Sequence, residues 1–174
     1  SNISKVYFAG GCFWCMEEAF DNVTGVAKIS VGYTGGKTKN PTYEQVSSGK
    51  TEHIESIQIS YDPQVVKYED LLEIFWKNID PSVENRQFCD IGKQYRSAIF
   101  VHNKEQQIKS HESLDKIKKK FSTVYTQIIE SSTFYEAEKY HQKYYKKNPM
   151  RYKFYKSRCG RKKRLKEIWG ELSL

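Results

Sequence analysis

Lys5-Val6-Tyr7-Phe8-Ala9-Gly10-Gly11-Cys12-Phe13-Trp14-Cys15 changes its periodicity at the glycine pair. The first five residues read as a strand. Phe13, Trp14, Met16, Ala19 and Phe20, with Glu17 and Glu18 between them, read as a helix. A strand that turns into a helix through two glycines places Cys12 and Cys15 in the first helical turn.

Downstream, Val26 to Tyr33 is β-rich and runs into the loop Gly32-Tyr33-Thr34-Gly35-Gly36. Asn40-Pro41-Thr42-Tyr43 predicts a turn and a short helix capped by Thr42 or Asn40. Ile54 to Tyr61 predicts a strand, and its period of two puts Glu55 on the same face as Ile57 and Ile59. After Asp62-Pro63, the spacing of Leu71, Leu72, Phe75, Trp76 and Ile79 predicts a helix. A strand at Tyr95 to Val101, a long helix from near Asn103, a strand at Val124 to Glu130 and a helix over Phe134 to Tyr145 follow, then a basic, aromatic tail of weak periodicity. The second and third strands are joined without a long helix. The expected fold is therefore an α+β two-layer sandwich with a mixed or antiparallel sheet and a ferredoxin-like core.

The 174 residues, 38% hydrophobic and 14% aromatic, suit one packed domain. Residues 1–174 are expected to form a single catalytic domain, with 150–174 a basic C-terminal segment wrapped on it. The longest uncharged stretch with apolar character, Val6 to Met16, is 11 residues, short of the ~20 needed to cross a bilayer, and no membrane association is expected. Ser1-Asn2 runs directly into the first strand without a secretory signal, so a cytoplasmic location is expected. The net charge of +8 is a property of the tail: Lys143 to Lys166 holds 12 basic residues and no acidic one, leaving 17 basic against 21 acidic elsewhere. Tyr144, Tyr145, Tyr152, Phe154 and Tyr155 among those cations could form a nucleic-acid module. The favoured reading is a solvated segment whose aromatics pack on the domain, with no nucleic-acid partner.

A cysteine at a helix start, after glycines that expose it, meets free N–H groups and the positive end of the helix dipole. Cys12 is thus expected to be a low-pKa nucleophile. Cys15, three residues on, has the spacing of a dithiol pair and can attack an oxidised form of Cys12. Phe13 and Trp14 put two apolar surfaces beside the sulfur. A zinc site built from Cys12, Cys15 and either Cys89, Cys159 or a histidine is the competing arrangement, but Cys89 and Cys159 are single and distant, so no metal is expected. Glu55, desolvated beside isoleucines, would hold its proton near neutral pH and act as a general acid. Tyr43, Tyr95, Asp90 and the histidines are ambiguous on their own.

Gly11-Cys12-Phe13-Trp14, Gly32-Tyr33-Thr34-Gly35-Gly36, Asn40-Pro41-Thr42-Tyr43-Glu44-Gln45-Val46, His53-Ile54-Glu55 and Gln94-Tyr95-Arg96-Ser97 together resemble the type A peptide methionine sulfoxide reductases. Tyr61-Asp62-Pro63, Phe75-Trp76, Tyr140-His141-Gln142 and Lys147-Asn148-Pro149 extend the resemblance over residues 4 to 150. It implies reduction of methionine S-sulfoxide, free or in peptides, without metal or organic cofactor and with electrons from thioredoxin. It also implies roles: Cys12 the nucleophile, Phe13 and Trp14 the methyl pocket, Glu55 the acid, Tyr43 and Tyr95 the hydroxyls on the sulfoxide oxygen, and Asp90 a substrate contact.

This chain departs from the family pattern at Cys15, Glu52 and Cys89. In place of a Gly-rich tail with resolving cysteines it has Ser157-Arg158-Cys159-Gly160-Arg161. Cys15 is the preferred resolving thiol because the loop it closes is short. Cys159 is the alternative, and Cys89 is expected to be a buried spectator. A general dithiol–disulfide oxidoreductase built on Cys12 and Cys15 is the second functional reading. The chain is expected to be a monomer.

Overall fold

A computed structural model describes residues 2–170. In β1 (Ser4–Gly10) the alternation decides the layers: Val6 and Phe8 enter the main core, while Tyr7 and Ala9 join a smaller cluster with Ile54, Ala98 and Phe100 on the opposite face. The chain then forms α1 (Phe13–Asp21), β2 (Val26–Thr34), α2 (Tyr43–Ser47), β3 (Ile54–Tyr61) and α3 (Tyr68–Lys77). Next come the short strands β4 (Arg86–Gln87) and β5 (Asp90–Ile91), followed by β6 (Ser97–Val101), α4 (Lys104–Lys118), β7 (Gln127–Glu130) and β8 (Tyr135–Glu136). The helices α5 (Tyr144–Lys147), α6 (Pro149–Cys159) and α7 (Arg161–Trp169) complete the described chain.

The main sheet has the order β7-β6-β1-β3-β2-β8, antiparallel except for the parallel β6–β7 pair. Its inner four strands, with α1 and α3, trace the β-α-β-β-α-β path of a ferredoxin-like unit, as the sequence implied. The fold is a mixed-sheet α+β. The Thr42 cap expected for α2 is present as a full capping box with Gln45.

Two segments differ from the sequence expectation. Residues 134–145 do not form one helix but β8, a 3-10 turn at Lys139–His141 and α5. Gln142 bridges Val31 through its N–H and C=O, and Glu138 holds both the Tyr33 hydroxyl and the Tyr43 N–H. These tertiary bonds outweigh a local helix. The weakly periodic tail is nevertheless helical, with Pro149 opening α6 and left-handed Gly160 separating it from α7.

Gly11 carries the turn into α1 at φ +86°, and a Cβ there would lie 2.5 Å from the Cβ of Gln87. Gln87 cannot yield, because its buried amide is bonded in both directions to Asp80. Gly11→Ala should therefore cost about 1–3 kcal/mol and displace Cys12; an unchanged urea midpoint would contradict this account of the turn.

Candidate active site

The turn after Gly11 makes Cys12 the N-cap of α1, and its carbonyl accepts from the N–H groups of Cys15 and Met16 at 3.2 Å each. One of the helix's remaining free donors, the Phe13 N–H, points across the core to Glu55 Oε1 at 3.2 Å. Glu55 is 2% exposed. It lies on the core-facing side of β3 with Ile57 and Ile59, as its parity implied. Burial pushes its carboxyl up to about 8, with Asp90 and Cys15 adding to the push and the Phe13 N–H opposing it. The carboxyl is accordingly protonated at neutral pH. Tyr43 and Tyr95 lie near each other and near Glu55, and burial above all holds both hydroxyls protonated. Asp90, on β5, is likewise pushed up by burial, against a hydrogen bond from Tyr155. The geometry brings Cys12, Cys15, Glu55, Tyr43, Tyr95 and Asp90 within mutual electrostatic reach.

The two free thiols differ from expectation in where the charge resides. Cys12, 5% exposed, is pushed well up by burial and by its hydrogen-bonded partner Cys15. Cys15 is drawn down to about 6 by the hydrogen bond from Cys12, and then by the charges of Arg161 and Lys156 and a bond from Tyr152. Burial beneath the tail overrides the helix N-terminus at Cys12 and pushes its thiol up while Cys15 is drawn down, so the pair shares one proton and its charge falls on Cys15.

The aromatic surroundings come from the segment that had been expected to be helical. His141 is buried among Phe13, Trp14, Tyr43 and Tyr140 at ring-centroid distances of 5.1, 5.8, 4.5 and 4.2 Å. Its Nδ1 accepts from Trp14 Nε1 at 3.0 Å, and burial keeps the ring neutral. Trp14 also stacks on Tyr144, with centroids 3.9 Å apart. From α6, the inward-facing Tyr152 and Tyr155 cover the dithiol: Tyr152 bonds Glu18 at 2.8 Å and reaches Cys15, and Tyr155 bonds Asp90 and reaches Cys12. Sequence reasoning missed His141, Tyr152, Tyr155 and Arg161 as parts of the site. The spacing of Tyr152 and Tyr155 on one helical face was the available signal.

The remaining cysteines also differ from expectation. Cys89 is exposed rather than buried, and it is disulfide-bonded to Cys159, 70 residues away. The bond fastens the end of α6 to the β4–β5 hairpin that carries Asp90. In this state Cys159 is not a free thiol, and Cys12 and Cys15 are the free pair.

Two thiols sharing a proton, beside a carboxylic acid kept neutral by its surroundings, define a thiol-based oxidoreductase that carries its own proton donor. The family model for peptide methionine sulfoxide reductase matches residues 4–173. A Bacillus licheniformis protein described as peptide methionine sulfoxide reductase MsrA is 48% identical over 166 residues, covering 94% of this chain and 92% of its own. Methionine sulfoxide reductase A of Corynebacterium diphtheriae superposes with TM-score 0.82 at 33% identity, over 84% of this chain and 76% of that one. Reduced Mxr1 of Saccharomyces cerevisiae gives 0.81 at 31%, over 84% and 86%. The chain belongs to the peptide methionine sulfoxide reductase family and is a peptide-methionine (S)-S-oxide reductase.

Proposed function

We propose that Cys12 attacks the sulfoxide sulfur, Glu55 supplies the proton to the oxygen, and Cys15 resolves the oxidised Cys12. The observation that carries this reading is the neutral, buried Glu55, hydrogen-bonded to the Phe13 N–H beside the thiol pair. As the Cys12 sulfur gains its bond to the substrate sulfur, Glu55 gives its proton to the oxygen, where a carboxylate would repel the growing negative charge. Cys12 passes its own proton to Cys15 along the hydrogen bond they share. The S–O bond breaks, the OH ends on Cys12 as a sulfenic acid, and methionine leaves, reduced by the two electrons that Cys12 loses. Cys15 then attacks that sulfur and gives the proton it took up to the leaving hydroxyl, so that water departs and the Cys12–Cys15 disulfide forms.

Tyr43 and Tyr95 donate hydrogen bonds to the sulfoxide oxygen, Phe13 and Trp14 receive the methyl group, and Asp90 holds the rest of the substrate. The single catalytic domain, its wrapped tail, a monomeric state and a cytoplasmic setting are part of the same reading. No helix among the described residues is long and apolar enough to cross a membrane. Thioredoxin is the proposed reductant. Cys12 and Cys15 are each 5% exposed beneath α6, so the cover over them must open for substrate or reductant to reach the sulfurs. With dithiothreitol and the two epimers of a methionine sulfoxide peptide, the S form should turn over and the R form should not; reduction of both at similar rates would contradict the assignment.

Cys15 is preferred over Cys159 because it already contacts Cys12, whereas Cys159 is bonded to Cys89. The double variant Cys89→Ser, Cys159→Ser should keep thioredoxin-supported turnover within about threefold and still lose two thiols per turnover. Loss of sustained turnover in that variant, with a first turnover intact, would transfer the resolving role to the tail.

A further inference from the structure

Arg161, the first residue of α7, is 4% exposed, an unusual burial for arginine. Its Nη2 donates to the Gly10 carbonyl at 3.1 Å and the Asn78 carbonyl at 2.7 Å and lies 3.2 Å from Met16 Sδ. The guanidinium sits 4.6 Å from the ring centroid of Phe88. All of these partners are uncharged. Among the described residues no carboxylate lies within ion-pair distance of Arg161. Asp80, two residues from the Asn78 carbonyl that Arg161 bonds, is taken by Arg164 at 3.0 Å. A cation held among neutral acceptors is costly unless an anion answers it.

Two acidic groups feel its charge, Cys15 and Asp90. Asp90 already accepts from Tyr155, and burial favours its neutral form. Cys15 is the more deeply buried of the two and lies beside Met16, whose sulfur Arg161 touches, yet it is drawn down rather than up. We infer that Arg161 is a positioning residue for the second chemical step: it is the buried counter-cation of Cys15, keeping the charge of the dithiol on the resolving sulfur. This rests on the reading of Cys15 as the resolving thiol. The other groups facing Cys15 do not substitute for it. Cys12 donates the hydrogen bond that the pair shares, Tyr152 divides its hydroxyl between Cys15 and Glu18, and Glu55 is kept neutral by burial and by the nearby Asp90 and Cys15. Lys156 is paired with Glu18 at 2.6 Å and its side chain is 36% exposed, so its charge is partly answered and screened. Arg161 is sealed from water, so its charge is not screened in that way. The Cys89–Cys159 bond lies two residues before it and fixes where α7 enters the core.

The test compares Arg161→Met and Arg161→Lys, first in a Cys12→Ser background where Cys15 titrates alone, followed by thiolate absorbance. Arg161→Met should raise the Cys15 midpoint by about one unit or more, while Arg161→Lys keeps it near the parent value. In the full enzyme given one equivalent of sulfoxide peptide, Arg161→Met should slow disulfide formation about tenfold relative to methionine release and accumulate dimedone-reactive Cys12. An unchanged midpoint in folded Arg161→Met would overturn the inference. Equal shifts in the Met and Lys variants would do the same, pointing to packing instead of charge. If Asp90→Asn abolishes the effect of Arg161→Met, the cation serves Asp90 and the inference also falls. Sustained thioredoxin turnover by Cys15→Ser would end the resolving role itself, a failure distinct from the titration result.

Discussion

Cys12→Ser is expected to lose sulfoxide reduction by about 10⁴-fold or more, because a serine hydroxyl cannot take up oxygen through a sulfenic acid and nothing else in the site can. The loss should be seen equally with dithiothreitol and thioredoxin, and in a single turnover as much as in steady state, since no methionine is released without the first bond. Cys15→Ser should behave differently. It retains the nucleophile and the acid, so one equivalent of methionine appears and dithiothreitol, which reduces a sulfenic acid directly, sustains turnover. Thioredoxin-supported turnover should fail, because no intramolecular disulfide forms. Its first turnover should also change in pH dependence. Without Cys15 as proton acceptor, Cys12 must ionise on its own against the burial that pushes it up, so the rate should climb with pH through the neutral range. Full activity of Cys12→Ser would end the proposal, and equal failure of both variants in a single turnover would mean that the pair acts as one unit in the first step.

Much of this site was legible because its chemistry sits where backbone periodicity is strong. Alternation in β1, followed by a glycine pair, located the strand-to-helix turn and so Cys12 and Cys15. A period of two in β3 placed Glu55 among isoleucines, and its burial followed. What escaped depends on tertiary contact. Phe134, Ala137, Tyr140, His141 and Tyr144 have helical spacing, but Gln142 and Glu138 satisfy distant backbone and hydroxyl groups instead, and that choice is invisible along the chain. Tyr152 and Tyr155 were two of 13 tyrosines, and Arg161 was one of 12 cations in a run that looks uniformly solvated. Five of those 12 are in fact tied to the domain, Lys143 and Lys146 by pairing with Asp21, Lys156 with Glu18, Arg164 with Asp80, and Arg161 by burial in the core. The charge of Cys15 could not be read either, because besides the hydrogen bond from Cys12 it depends on Arg161, Tyr152 and Lys156, all more than 130 positions away.

Glu55→Gln is expected to lower the rate of methionine release by about 10²–10⁴-fold, the range of a single general acid. The amide preserves the shape and can still accept the Phe13 N–H, so the loss reports the proton alone. In the wild type the acid is competent only while protonated, so the rate should fall as pH rises through about 8, whereas the Gln variant should be low and lack that limb. Stability should move in the opposite direction. The carboxyl is raised from about 4.5 to about 8 by folding, chiefly by burial. Its protonated form is therefore the native one, and its contribution is fully present below about 4.5 and is lost as pH climbs through about 8. Glutamine carries no such dependence. Urea midpoints should thus favour Glu55→Gln by a margin that widens between pH 5 and pH 8, even as its activity stays depressed. A margin that does not change with pH would show that Glu55 is ionised in the fold, and a carboxylate there cannot be the acid that protonates the sulfoxide oxygen.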